Sequence, residues 1–149
     1  MRKIRNVIGL FLLLFLLCAC SLFLNYEDTN GDDNYDLETI TDEMIIEGSR
    51  SISIGSIESK VNNKGKLSIN KFNGVKTIKT FNNGSYTITV DFKVTKGNVK
   101  LVLCDDEKII HEFSINSENQ TFTIADESKV YFKIAGESSG FELNYTYND

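Results

Sequence analysis

Apolar side chains recur at every second position from about Arg50 to the end of the chain. The clearest run is "YTITVDFKV", with Tyr86, Ile88, Val90, Phe92 and Val94 on one side and Thr87, Thr89, Asp91 and Lys93 on the other. A period of two is the mark of an extended strand that buries one face. The same alternation puts Ile52 and Ile54 against serines in "SISI" and pairs Leu67 with Ile69 in "KLSINKF". It recurs for Val99, Leu101 and Leu103 in "VKLVLC", for Phe122 and Ile124 in "TFTI", and for Val130, Phe132 and Ile134 in "KVYFKI". "KIIHEFSI" and the terminal "FELNYTY", with Phe141, Leu143, Tyr145 and Tyr147, complete the set.

Turn-forming clusters separate the runs: "NNKG", "FNG", "NNGS", "KGN", "DDE", "NSENQ", "ADES" and "GESSG". The pattern predicts about eight short strands, each with one apolar face, packed as two antiparallel sheets. The fold class is therefore all-β, an antiparallel sandwich over residues 50–149, with three to five inward residues per strand. Just before it, "LETITDEMIIE" (Leu37 to Glu47) is apolar enough to add a helical turn or two against the domain.

The first residues follow another rule. Arg2, Lys3 and Arg5 precede an uncharged apolar stretch from Val7 to Leu24, the outline of an export signal. Within it, Leu17-Cys18-Ala19-Cys20 resembles the lipobox of bacterial lipoproteins: an aliphatic residue, a middle position, a small residue and then the cysteine. The resemblance implies cleavage before Cys20, which would become the N-terminus and carry the lipid. Cys18 is an unusual occupant of the middle position. Several acyl chains, at about 0.8 kcal/mol per buried methylene, make a durable anchor. The alternative is an uncleaved single-pass anchor, since the stretch from Val7 to Leu24 reaches the lower length limit of a spanning helix.

On the lipoprotein reading, residues 1–19 are a signal peptide and residues 20–49 a lipid-anchored acidic tether. "NYEDTNGDDNYD" is too polar to bury the surface that ordering would require, and a flexible tether of this length reaches about 30 Å. The expected address is the extracytoplasmic face of a cell membrane. A composition without Pro or Trp and rich in Asn, Lys and Ile resembles that of A/T-rich Gram-positive bacteria.

Charge narrows the partners. The chain carries a formal −5, and losing the three basic residues of the leader takes it to about −8. That balance argues against nucleic acid and against electrostatic attachment to anionic lipid. Cleavage leaves Cys104 as the one cysteine besides the lipidated Cys20, so no intrachain disulfide is expected. "LVLC" predicts that it is a buried apolar filler.

The stretch from "GSYTITVDFKVTKGNVKLVL" to "SSGFELNYTY" resembles jelly-roll sandwiches of the galactose-binding-like and carbohydrate-module kind. The resemblance lies in strand spacing and in the run from Gly136 to Leu143. It implies an architecture and a binding role, without a matched ligand residue.

Catalytic chemistry finds few candidates. His111 is the only histidine and shares strand parity with Ile109 and Phe113, which predicts a partly buried structural imidazole. A Ser-His-Asp or Cys-His nucleophile would have to use it. The carboxylate groups Asp105/Asp106/Glu107 and Asp126/Glu127 fall in turns, where acidic side chains serve solubility and Asx geometry. Asp28-x-Asn30-x-Asp32 and Asp32-x-Asn34-x-Asp36 approach calcium loops, but Asp33 and Leu37 stand where the sharp turn wants Gly. No cofactor and no metal site is expected. Tyr131, opposite in parity to Val130 and Phe132, is the candidate exposed aromatic contact.

The leading expectation is a non-catalytic, lipid-anchored surface module that binds an extracellular protein or glycan. A structural accessory subunit of an envelope complex is the alternative, and it predicts an exposed apolar patch. A carboxylate-dependent hydrolase would need two carboxylates about 5–10 Å apart in one cleft.

Overall fold

The computed structural model of the chain describes residues 40–148, apart from the side chains of residues 126–128. It opens with a short helix, α1 (Asp42–Glu47), followed by β1 (Ser51–Val61), β2 (Lys64–Cys104), β3 (Ile109–Phe113) and β4 (Ser117–Asn148). Every strand pairing is antiparallel. The all-β sandwich expected from the alternation is what the chain forms.

The expected short strands are merged into fewer, longer ones. β2 and β4 pass between the two layers at the turn clusters, where left-handed residues such as Gly74, Asn83, Gly97 and Ser138 turn the chain while pairing resumes on either side. Across the front layer, neighbouring segments are residues 117–124, 87–94, 139–148, 64–72 and 51–61. Across the back layer they are residues 75–82, 129–136, 99–104 and 109–113. β4 lies between two arms of β2 in both layers.

Passing from one layer to the other requires a bend, and the register shows where it falls. Ile69 faces Phe141 while Phe72 faces Ser139, so β2 carries one extra residue there, a bulge that kinks the strand and re-aims its side chains. Opposite it, β4 turns through residues 136–140. At Gly136 an added Cβ would run into Ser139 and the Phe72 ring. Only glycine admits that close approach.

The core lies between the layers. Leu67, Ile69, Phe72, Ile88, Val90, Phe92, Phe141 and Leu143 come from the front; Phe81, Leu101, Leu103, Phe113, Val130, Phe132 and Ile134 come from the back. Aromatic rings join the two sides: Phe132 meets Tyr145 edge-on at 5.5 Å and Phe81 meets Tyr147 at 5.4 Å. Burying such side chains contributes roughly 1.5–3 kcal/mol each.

A second, smaller cluster sits behind the back layer, where Val75, Val102 and Ala135 pack against Ile40 and Ile45. Helix α1 supplies Ile45. Thr41 caps it, its Oγ1 accepting from the Met44 N–H at 3.3 Å. Asp42 and Glu43 in the first turn suit the positive end of the helix dipole. At the other end Lys133, only 5% exposed, donates to the carbonyls of Ile45, Ile46 and Gly48 at 3.0, 2.6 and 3.3 Å. All three ammonium protons are thereby matched.

One expectation fails. Ile52 and Ile54 do not point into the core; they are 73% and 62% exposed. β1 pairs with β2 alone, and all eleven of its residues are exposed. Its inward-parity positions, Ser51, Ser53, Ser56, Glu58 and Lys60, oppose the buried side of β2 yet stay exposed, and Glu58 meets the Lys76 ammonium of the back layer. The alternation holds, but the core does not extend over β1.

Candidate binding face

Apart from the exposed apolar row of β1, the outer surface of the front layer is polar. Cross-strand neighbours form rows: Lys66, Asn144 and Asp91; Ser68, Glu142 and Lys93; Lys64, Thr146, Thr89 and Thr121. Two hydroxyl pairs tie the last strand to its neighbour, Thr87 to Thr123 and Thr89 to Thr121, each at 3.3 Å. Such pairs are the unit that stabilises a sheet face.

A depression of about 410 Å³ lies over Lys66, Thr89, Asp91, Asn119, Asn144 and Thr146. A second, also about 410 Å³, shares Asp91 and Asn144 and extends to Lys93, Asn116, Glu118 and Glu142. Its wall is the turn after β3, and that turn is held by side chains. Asp91 Oδ1 accepts from the Asn119 N–H at 2.8 Å, and Asn116 Oδ1 accepts from the Val94 N–H at 2.9 Å. Gln120 bonds both the N–H and the carbonyl of Ser114, at 2.7 and 2.9 Å. The face thus offers amides, hydroxyls, carboxylates and ammonium groups on a fixed frame.

The residues singled out from the sequence are elsewhere. Tyr131 lies on the outer face of the back layer, half-buried. Its hydroxyl donates to Asp106 Oδ1 at 3.0 Å, and Lys129 and Lys133 stand 4.8 and 5.1 Å from its ring. His111 is half-buried between rings, stacked on Phe122 at 4.3 Å and edge-on to Phe113 at 4.7 Å. Desolvation pushes its pKa below the ordinary value of 6.5, against a smaller opposing pull from Glu112. Cys104 is fully buried, and burial raises its thiol pKa.

Asp105 is the turn acceptor its position suggests. Its Oδ1 takes the N–H groups of Glu107 and Lys108 at 2.8 and 2.7 Å, which hold its carboxyl below the usual range. Leu17, Cys18, Ala19 and Cys20, and the calcium-like runs Asp28-x-Asn30-x-Asp32 and Asp32-x-Asn34-x-Asp36, lie outside the described residues. Among the described residues no group of three or more His, Cys, Asp or Glu is placed to hold a metal ion. No described helix is long and apolar enough to cross a membrane.

Sequence reading passed over two features. Lys133 resembles any outward lysine in "KVYFKI", and only the arrival of α1 makes it a buried cap. The polar face was visible as the off-parity set Thr87, Thr89, Asp91 and Lys93, but its depressions are lined from segments far apart in sequence. Comparison with protein-family models, curated proteins and solved structures finds no match for the chain.

Proposed function

We propose that the protein is a non-catalytic, lipid-anchored surface module, held through Cys20, whose sandwich binds an extracellular glycan or protein on the outer front face. The observation that carries the reading is the pair of adjoining polar depressions that share Asp91 and Asn144. Fixed amide, hydroxyl and carboxylate groups match the hydrogen-bonding surface of a polyhydroxylated ligand. Polar groups positioned in this way supply specificity, because a ligand lacking the complementary groups leaves them unpaired.

Retention of the full-length protein on a panel of immobilised polysaccharides tests the site. Binding by wild type that Asp91→Ala and Asn144→Ala abolish supports it; equal retention of both variants sinks it. The anchor has its own test, metabolic labelling with a fatty-acid analogue. Label should enter wild type and not Cys20→Ser.

A second reading, a docked accessory subunit, draws on a different surface. Ile52, Ile54, Ile57 and Val61 are all more than half exposed and sit together on the edge strand. An apolar row of this kind marks a protein contact.

A further inference from the structure

We infer that β1 is a self-association edge: two copies of the chain pair antiparallel through it, about a two-fold axis at Ser59. This goes beyond the glycan-face reading and does not rest on it.

The starting point is hydrogen-bond direction. Val61 and Lys64 face each other across the two-residue turn at 62 and 63, so the closing pair bonds across the hairpin. Alternation then directs the backbone groups of Lys60, Glu58 and Ser56 away from β2, toward the open edge. An edge of unpaired N–H and C=O groups is a template for another strand, and folded proteins normally blunt it. Here the blunting devices are two. Gly55, at φ +63°, interrupts the strand, and the oppositely charged Glu58 and Lys60 stand on it.

Those same devices select a register. With Ser59 on the axis, Glu58 meets Lys60 of the second copy and Lys60 meets Glu58 of the second copy. These are the positions whose backbone groups face outward, so side-chain attraction and main-chain bonding coincide. On the other face Ile57 meets Val61 of the second copy, twice. Those side chains are 68% and 65% exposed in the single chain, and pairing would cover them. Sliding one step either way centres the axis on Glu58 or on Lys60 and sets like charges opposite each other, which is unfavourable. The pairing is bounded by the Gly55 interruption at one end and by the turn, with Asn62 at φ 52°, at the other. Glu58 already bonds Lys76 of its own chain at 2.5 Å, which orients the carboxylate at the edge.

The second copy is favoured over an unrelated strand because the charge order is its own complement under two-fold rotation. A C2 contact needs this self-complementarity; a foreign strand does not.

The test is site-directed crosslinking of the full-length protein in detergent, read on non-reducing gels after mild oxidation. Ser59→Cys should give a covalent dimer, because residues on the axis meet as a closely spaced pair. Wild type, with its own cysteines, sets the background, and Ser53→Cys should stay at that background. Light scattering supplies a second arm. Lys60→Glu should shift the protein to monomer, and Glu58→Lys combined with Lys60→Glu should restore the dimer. A monomeric Ser59→Cys protein, equal crosslinking at Ser53→Cys, or a dimer indifferent to charge reversal overturns the inference. A monomer that gains a foreign strand at β1 overturns it too.

Discussion

β1 and β4 are written in the same alternating code and meet opposite fates. β4 lies between two arms of β2 and buries Val130, Phe132, Ile134, Phe141, Leu143 and Tyr145 on its inner side. β1 has one neighbour and buries nothing. Alternation fixes which side chains share a face. Whether that face is covered depends on what the rest of the chain places over it. In β4 the face meets the opposite layer; in β1 the outward isoleucines meet solvent, and the inward serines and charges stay exposed as well.

The sharpest way to break this comparison is to delete the same kind of atom from each strand. Phe132→Ala should cost about 3–5 kcal/mol, enough to threaten folding in a small domain. Ile54→Ala should fall within about 0.5 kcal/mol, as surface changes do. Chemical denaturation of the two variants measures both. A large loss at Ile54 would mean that β1 is covered after all.

Next in size is Lys133, which sits on the covered strand yet faces outward. Lys133→Ala leaves the carbonyls of Ile45, Ile46 and Gly48 without their donor, a loss of about 1–3 kcal/mol. Amide exchange should show α1 opening while the strands of the core keep their protection. Thr41→Ala, at the other end of α1, should cost about 1 kcal/mol with the same local signature.

The smallest expected effect is a pH dependence. His111 has a folded-state pKa depressed below 6.5, chiefly by desolvation. The unfolded chain therefore binds the proton more readily, and stability falls as pH drops through about 6.5, levelling off below the folded pKa. His111→Phe should remove that decline between pH 7.5 and 5. Asp105 behaves in the opposite sense for its charge: its carboxyl is held low. Its contribution persists above the ordinary value of 3.8 and is lost only as pH falls further, outside the histidine window. A decline unchanged in His111→Phe would assign it to other groups.

Much of this was legible beforehand. The faces of residues 86–94, 99–103 and 130–134, the inward Tyr145, the buried Cys104, the enclosed His111 and the short helix before residue 50 all follow from local periodicity and apolarity. What escaped depends on long-range placement. Ile52 and Ile54 have the right period, but an edge position is decided by strand order. Lys133 needs α1 arriving from 85–88 residues away in sequence. The merging of short strands into β2 and β4 reflects turn clusters in which one or two left-handed residues, such as Gly74, Asn83, Gly97 and Ser138, bend the chain while the pairing resumes beyond them, so turn chemistry marked bends where it predicted breaks. The depressions on the outer front face are lined from several distant segments and reside in no single motif.

The clamp on α1 has a mechanical consequence. Tension applied from the N-terminal side reaches the sandwich through this helix before it reaches β1. An edge strand pulled from its end peels away one pair of bonds at a time, which resists force poorly. With Lys133 gripping three carbonyls and Ile45 seated behind the back layer, the pull is first taken up by a buried contact to the central strand. The hairpin of β1 is thereby sheltered from the load, and Lys133→Ala should lower the force at which the chain first yields in a single-molecule pulling experiment.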